Sequence, residues 1–293
     1  MKVGGTGELE LLKRIMPFLA TQGFEITAGE DDSAVWSDHG SYVVASCDMA
    51  VEGVHFDLSW MTAEDAGWRA LALALGDLAA KGATPAWALT SIAVPRSWQV
   101  ENFVGLYEGM SSLAADTGLL IVGGDMSSVD GPAVLSITVV GRTVSRPLAR
   151  SQAKPGWAVA VSGPLGAAAL SLRARKALRL MPRIDEGRRL NQAGLCCGDI
   201  SDGLLREMEK FAAASRAGCI IRADAIPSVE GASWEDALTS GEEAELVCVG
   251  PEDLIRSAGL VPFGTLTDDP AVNVVGGDGL PRRLHASGFD HFA

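Results

Sequence analysis

The residues predict an α/β protein of mixed, α+β type, and three observations predict it. Runs rich in β-branched residues, at 41–47 and 133–143, are mixed with long helical patterns at 62–81 and 100–117. These elements do not alternate strictly as strand and helix, which points to α+β or mixed α/β rather than a regular parallel repeat. The chain has 293 residues, 47% of them hydrophobic, enough for one large or two ordinary domains with buried cores.

Leu9 to Leu19 reads as an amphipathic helix, with Leu9, Leu12, Ile15, Met16 and Leu19 on one side. Ser41 to Cys47 reads as a strand ending at Asp48, and Val51 to Phe56 as a possible second strand. Thr62 to Lys81 is a helix, opened by Thr62 with Asp65 in a capping pattern and stopped by Gly82. Trp87 to Val94 follows as a strand and Val100 to Thr117 as a helix. Leu119 to Val122 reads as a strand broken by Gly123-Gly124-Asp125, and Ala133 to Thr143 as another strand. Pro147, Lys154 and Pro155 interrupt the pattern, so a boundary is expected here, dividing the chain into domains 1–145 and 146–293. Ala158 to Ser162 is then a strand leading through Gly163-Pro164 into a helix. Ser201 or Asp202 can cap a helix to about Ser215, whose core face carries Leu204, Leu205, Met208 and Phe211.

The net charge of -13 offers no basic stripe for nucleic acid, and an acidic protein that handles phosphates needs metal ions as intermediaries. The 5 cysteines include no C-x-x-C pair, which speaks against a disulfide scaffold or zinc ribbon and for a reducing cytoplasm. Charged and apolar residues alternate from Glu8 to Arg14, unlike a signal peptide. The apolar stretch from Ala70 to Val94 is interrupted by Asp77 and Lys81, so no membrane span is expected.

The chemistry is carried by aspartates in Gly- and Ser-rich settings: Gly29-Glu30-Asp31-Asp32, Ser46-Cys47-Asp48, Gly123-Gly124-Asp125 and Asp199-Ile200-Ser201-Asp202-Gly203. Hard divalent cations take oxygen ligands, and carboxylates at element ends can converge on one cleft around a polyphosphate. Any one motif taken alone reads more simply as a turn or a cap, and it is the recurrence of four in one chain that points to metal. Asp77 lies in a helix apolar on most sides, where a carboxylate needs either a metal or an ion pair, and Lys81 at i+4 is the pairing candidate. His55 can be a packed residue, Arg150 a solvated linker or a phosphate clamp, and Tyr107 a core aromatic. There is no G-x-x-x-x-G-K-[ST] loop, no H-R-D loop, no G-x-G-x-x-G after a strand and no G-x-S-x-G.

In this order the motifs resemble those of the thiamine-monophosphate kinase family, in the superfamily of aminoimidazole ribonucleotide synthetase. The resemblance runs from Gly7-Glu8 to Gly288-Phe289-Asp290-His291-Phe292, through Asp48, Val51-Glu52-Gly53-Val54-His55-Phe56, Asp77-Leu78-Ala79-Ala80, Gly123-Gly124-Asp125 and Ile200-Ser201-Asp202-Gly203. It implies a two-domain synthetase-like fold whose N-terminal sheet pairs in a homodimer. It implies direct in-line transfer of a phosphoryl group from ATP to thiamine phosphate. Asp32, Ser46, Asp48, Asp77, Asp125, Asp199 and Asp202 would hold several Mg²⁺ ions, and Tyr107, Gly124, Asp125, Arg150 and Ser201 would contact ATP. His55, Glu242 and Phe289 would contact thiamine phosphate. The chain departs from the family pattern at Ala28-Gly29-Glu30-Asp31-Asp32, Cys47, Met126 and Ala244. Two other readings are another ATP-dependent reaction of the superfamily, on selenide or an aminoimidazole precursor, and a degenerate ATP-binding protein without catalysis.

Overall fold

The computed structural model describes residues 3–27, 29–285 and 288–292, leaving Ala28 and the side chain of Leu9 outside the description. The first helix, α1 (Glu8–Ile15), gives way to a 3-10 turn at Met16–Phe18, earlier than the apolar spacing to Leu19 suggests, because Pro17 has no N–H to continue the ladder. β1 (Ala34–Asp38) and β2 (Ser41–Val51) form an antiparallel hairpin. β2 runs straight through Asp48, and residues after Val51 turn instead of forming the second strand expected to Phe56, with Gly53 at φ 80.

α2 (Ala63–Ala80) is capped as its sequence suggests: the Thr62 side chain accepts from the Asp65 N–H at 3.0 Å. At its far end Gly82 adopts φ 61, and Ala83 N–H donates to the Leu78 carbonyl at 2.9 Å. β3 (Thr84–Val94), α3 (Val100–Thr117), β4 (Leu120–Ser128) and β5 (Val134–Thr143) complete the first sheet, in the order β1-β2-β5-β3-β4. β4 is not broken at Gly123-Gly124-Asp125; it continues beside β3, in parallel, to Ser128. Gly124 allows this, because a Cβ there would lie 1.7 Å from the Thr90 carbonyl oxygen.

The second sheet collects β6 (Ala158–Val161), β7 (Cys196–Asp199), β8 (Gly218–Arg222), β9 (Leu246–Gly250), β10 (Gly264–Thr267) and β11 (Val272–Val275) in the order β11-β8-β10-β6-β9-β7. Around it lie α4 (Ala167–Ala174), α5 (Ile184–Gln192), α6 (Leu204–Ser215), α7 (Trp234–Thr239) and α8 (Glu252–Ser257). The core face of α6 is the expected one, with Leu204, Leu205, Met208 and Phe211 buried. Its cap is Gly203 at φ 101, rather than Ser201 or Asp202, which leaves those two side chains available to the space in front of the helix.

Helix α2 joins the two halves. Leu71, Leu75 and Leu78 pack with Leu106, Met110, Leu135 and Ile137 beneath the first sheet, while Ala79 and Ala80 pack with Ala158, Leu190, Leu195 and Ile255 of the second half. Being apolar on most sides, it buries all of them. Its contact with α3 is backbone-close: a Cβ on Gly109 would fall 1.9 Å from the Glu64 carbonyl oxygen. Gly109→Ala is therefore expected to lower stability by about 1–3 kcal/mol, read as a drop in the urea midpoint. Gly131→Ala, where nothing lies within 4 Å, should stay within about 0.5 kcal/mol.

Candidate functional site

The ends of elements from both sheets open into one cleft of about 1410 Å³. That exceeds the ~300–1,000 Å³ usual for a single small ligand and suits two reactants. Asp31 and Asp32 come from the loop before β1, Ser46 and Asp48 from alternate positions of β2, and Asp77 from the last turns of α2. Asp199 ends β7, and Ser201 and Asp202 lie in the short segment before α6. One carboxylate oxygen each from Asp32, Asp77 and Asp199 lies within 4.8 Å of the others. The donors are all hard oxygens, the set a divalent cation such as Mg²⁺ prefers. Convergence, which spacing along the chain does not show, is thus present for Asp32, Ser46, Asp48, Asp77, Asp199 and Asp202.

Lys81 is not the partner of Asp77. Its ammonium turns the other way, donating to Asp31 Oδ2 at 2.5 Å and to the Cys197 carbonyl at 2.8 Å, with the side chain 1% exposed. Asp77 instead accepts from the Ser46 hydroxyl and has no cation paired with it among the described residues. Arg150, expected in a linker, is a buried hub: it donates to Asp31 Oδ1 at 2.9 Å, to Asp32 Oδ2 at 2.5 Å and to Glu207 Oε1 at 2.5 Å.

Electrostatics divide the carboxylates. Desolvation would raise Asp32, but Arg150 and Lys210 outweigh it and hold the carboxyl well below its ordinary range, with 37% of the side chain exposed. Burial, then repulsion from Asp199 and Asp32, pushes Asp48 up to about 7. Burial pushes Asp77 and Asp199 well up, Asp77 also through Asp48 and Asp32, and Asp199 also through Asp77 and Asp32.

Beyond Asp202 the cleft wall becomes aromatic. His55 stands in the turn after β2, where the Val51 N–H donates to its Nδ1 at 3.0 Å, so the ring proton of the neutral form sits on Nε2. Burial, then the nearby His291, lowers its pKa. His291 packs on His55 with ring centroids 5.1 Å apart, and Phe289 meets His291 edge-on at 4.7 Å. The tail is pinned there by the Phe289 N–H to the Asp202 carbonyl at 3.2 Å and by Arg206 to Asp290 at 3.1 Å. Glu242, at φ 58, is held by Arg69, which also donates to the His55 carbonyl at 2.9 Å. Its second oxygen, Oε1, is buried with no hydrogen-bond partner among the described residues. A buried carboxylate oxygen without a partner is costly, and a donor or positive charge brought beside it would relieve that cost.

Four expected residues do not line this cleft. Tyr107 packs against the first core and shares a 3.1 Å hydrogen bond with Thr90, while Gly124 and Asp125 lie on the exposed edge strand β4. Arg150 sits behind Asp32, not in the open. Sequence reasoning gave Lys81 the wrong partner and missed Arg69, Glu207 and Lys210. The one signal for the last two was a charged i, i+3 pair on α6 beside its apolar stripe.

A model of AIR synthase related protein, N-terminal domain, matches residues 29–143. The chain is 34% identical over 263 residues to the thiamine-monophosphate kinase of Rhodopirellula baltica, covering 84% of this chain and 80% of that one. It is 31% identical to the thiamine-monophosphate kinase of Methanopyrus kandleri, covering 92% of each. Among solved structures it is similar to AaThiL complexed with AMPPCP and TMP, at 26% identity and a TM-score of 0.87, covering 100% of this chain and 99% of that one.

The raised carboxyls set the sign of a pH dependence. Without metal, the native protein holds the Asp48 proton more tightly than the unfolded chain, whose value is 3.8; this stabilises fully below that value and is lost as pH rises to about 7. A divalent cation must displace protons here, so its affinity grows with pH. The rise in melting temperature on adding Mn²⁺ is expected to be larger at about pH 8 than at about pH 6, with proton release in calorimetry. A shift independent of pH contradicts the assignment.

Proposed function

The chain belongs to the thiamine-monophosphate kinase family, and on that premise we propose that its cleft moves the γ-phosphoryl group of ATP directly onto the phosphate of thiamine phosphate. One observation carries this reading: an acidic, oxygen-only pocket and an aromatic pocket with an unpaired Glu242 oxygen open into the same cleft. The first suits Mg²⁺ and a triphosphate, the second a cationic ring ending in a phosphate. AaThiL complexed with AMPPCP and TMP supports the same pair of ligands.

Asp32, Ser46, Asp48, Asp77, Asp199 and Asp202 would hold the Mg²⁺ ions; Asp125, which lies outside this cleft, would join them only where pairing of two copies brings it there. Bound Mg²⁺ supplies charge neutralisation for the phosphoryl group in flight. The acceptor is already an anion, so no side chain has to abstract a proton, and catalysis rests on positioning. His55, neutral because its pKa is lowered, donates from Nε2 to the acceptor phosphate without repelling the thiazolium. Glu242 faces that positive ring and Phe289 packs on it. Ser201, which lines the cleft, would contact ATP.

We read residues 1–145 and 146–293 as two domains and the protein as a cytoplasmic homodimer paired through the first sheet. Supporting this, Met49, Leu120, Val122 and Met126 are 58%, 65%, 58% and 68% exposed on that sheet. Tyr107, Gly124 and Asp125 belong to the same sheet and its covering helix, so the ATP contacts proposed for them depend on that pairing. All five cysteines are free, as a reducing compartment favours, and no described helix is long and apolar enough to cross a membrane.

The departures do not remove the machinery. The Cys47 thiol points to the other face of β2 from Ser46 and Asp48, its Sγ 3.4 Å from Ser136 and Thr138 hydroxyls, so a soft sulfur does not enter the oxygen set. Ala244 packs against the first core, and Met126 lies on exposed β4.

Incubation with ATP, Mg²⁺ and thiamine phosphate should yield thiamine diphosphate, seen by phosphorus NMR; ADP without it would contradict the acceptor. Asp48→Asn should cut turnover on the order of 10²-fold or more while keeping the fold. Glu242→Gln should act mainly by raising KM for thiamine phosphate.

A further inference from the structure

Among the described residues lining the cleft, the lysine and arginine side chains are Arg69 and Lys210. Arg69 is 9% exposed and committed to Glu242 and the His55 carbonyl at the aromatic end. Behind the acidic end, Arg150 and Lys81 are 3% and 1% exposed; three carboxylates hold the first, and Asp31 with the Cys197 and Leu148 carbonyls holds the second. Turning either toward a ligand would leave a buried charge unpaired. Lys210 differs. It projects from α6 with 21% of its side chain exposed, its ammonium 3.1 Å from Asp202 Oδ2, 3.6 Å from Asp32 Oδ2 and 3.9 Å from Glu207 Oε2. Glu207 keeps Arg150 if Lys210 leaves.

Two of those three partners are carboxylates read above as cation ligands. A lysine ammonium is a compact point charge on a flexible stem, and it cannot share a carboxylate with a divalent cation without mutual repulsion. The two therefore compete for Asp32 and Asp202. A triphosphate entering beside them offers the displaced ammonium a better counter-charge than water.

We propose that Lys210 is an exchangeable counter-ion: it neutralises Asp32 and Asp202 in the ligand-free protein and moves to a phosphate oxygen of the nucleotide when metal and nucleotide bind. This rests on the reading of the cleft as a metal–nucleotide site. It makes Lys210 a phosphate-binding residue, and it predicts effects of opposite sign on the two ligands.

The test uses the full chain and its Lys210→Met, Lys210→Gln and Lys210→Arg variants, each checked for an unchanged melting profile. Calorimetry measures Mn²⁺ alone and then AMPPCP with Mg²⁺, so no turnover is needed. Removing the charge should tighten Mn²⁺ binding several-fold and weaken Mg²⁺–AMPPCP about tenfold, the worth of one charge-assisted hydrogen bond, while Lys210→Arg recovers most of the nucleotide affinity. If both affinities fall together, Lys210 is a structural tether; if neither changes, or the wild type binds neither ligand, the proposal is equally overturned. A wild type that shows the exchange yet transfers nothing to thiamine phosphate sinks the kinase reading instead.

Discussion

Repulsion among like charges is the constraint to which the rest of this molecule answers. Asp32, Asp48, Asp77 and Asp199, drawn from four segments, face one cleft in a protein of net charge -13. Left alone such a set either opens or takes up protons, and the raised Asp48, Asp77 and Asp199 carboxyls show the second response. The fold suppresses the first by placing cations behind the cleft. Arg150 ties Asp31, Asp32 and Glu207 together, and Lys81 ties Asp31 to the Cys197 carbonyl. The two halves are thereby stitched by charge where α2 already joins them by packing.

That stitching explains why a cleft can lie between two sheets and still hold its geometry. Asp77 on α2 and Asp199 on β7 come close enough that a Cβ on Gly76 would lie 3.2 Å from the Asp199 carboxylate. At the aromatic end the Glu242 N–H donates to the Ser201 carbonyl at 2.6 Å, so the loop carrying Glu242 is tied to the segment carrying Ser201 and Asp202. Acidic and aromatic ends are therefore fixed relative to each other, as an in-line transfer between two bound anions requires.

How much of this was legible follows from range. The Thr62 cap, the Gly82 stop and the apolar face of α6 are local, and each stands where the residues indicate. The acidic motifs were legible as residues, and their order along the chain carried the family resemblance. The pairing of Lys81 was not, because i+4 spacing makes Asp77 reachable and says nothing of Asp31, 50 positions away in sequence. Arg150 looked like linker for the same reason: its three carboxylate partners come from distant segments. Every strand of the second sheet has only 4 or 5 residues, and β6, β7 and β9 are buried at every position with no two-residue period, so β7 and β9 went unread. Glycine misled in β4, where Gly123-Gly124 signals a break but serves close contact with β3.

The central claim is that carboxylates of both halves share cations in one cleft. Anomalous diffraction from crystals grown with Mn²⁺ and AMPPCP tests it most directly. The account predicts manganese peaks within about 2–2.5 Å of oxygens from Asp32, Asp77 and Asp199. Well-ordered carboxylates with manganese bound elsewhere, or none among them, would contradict it.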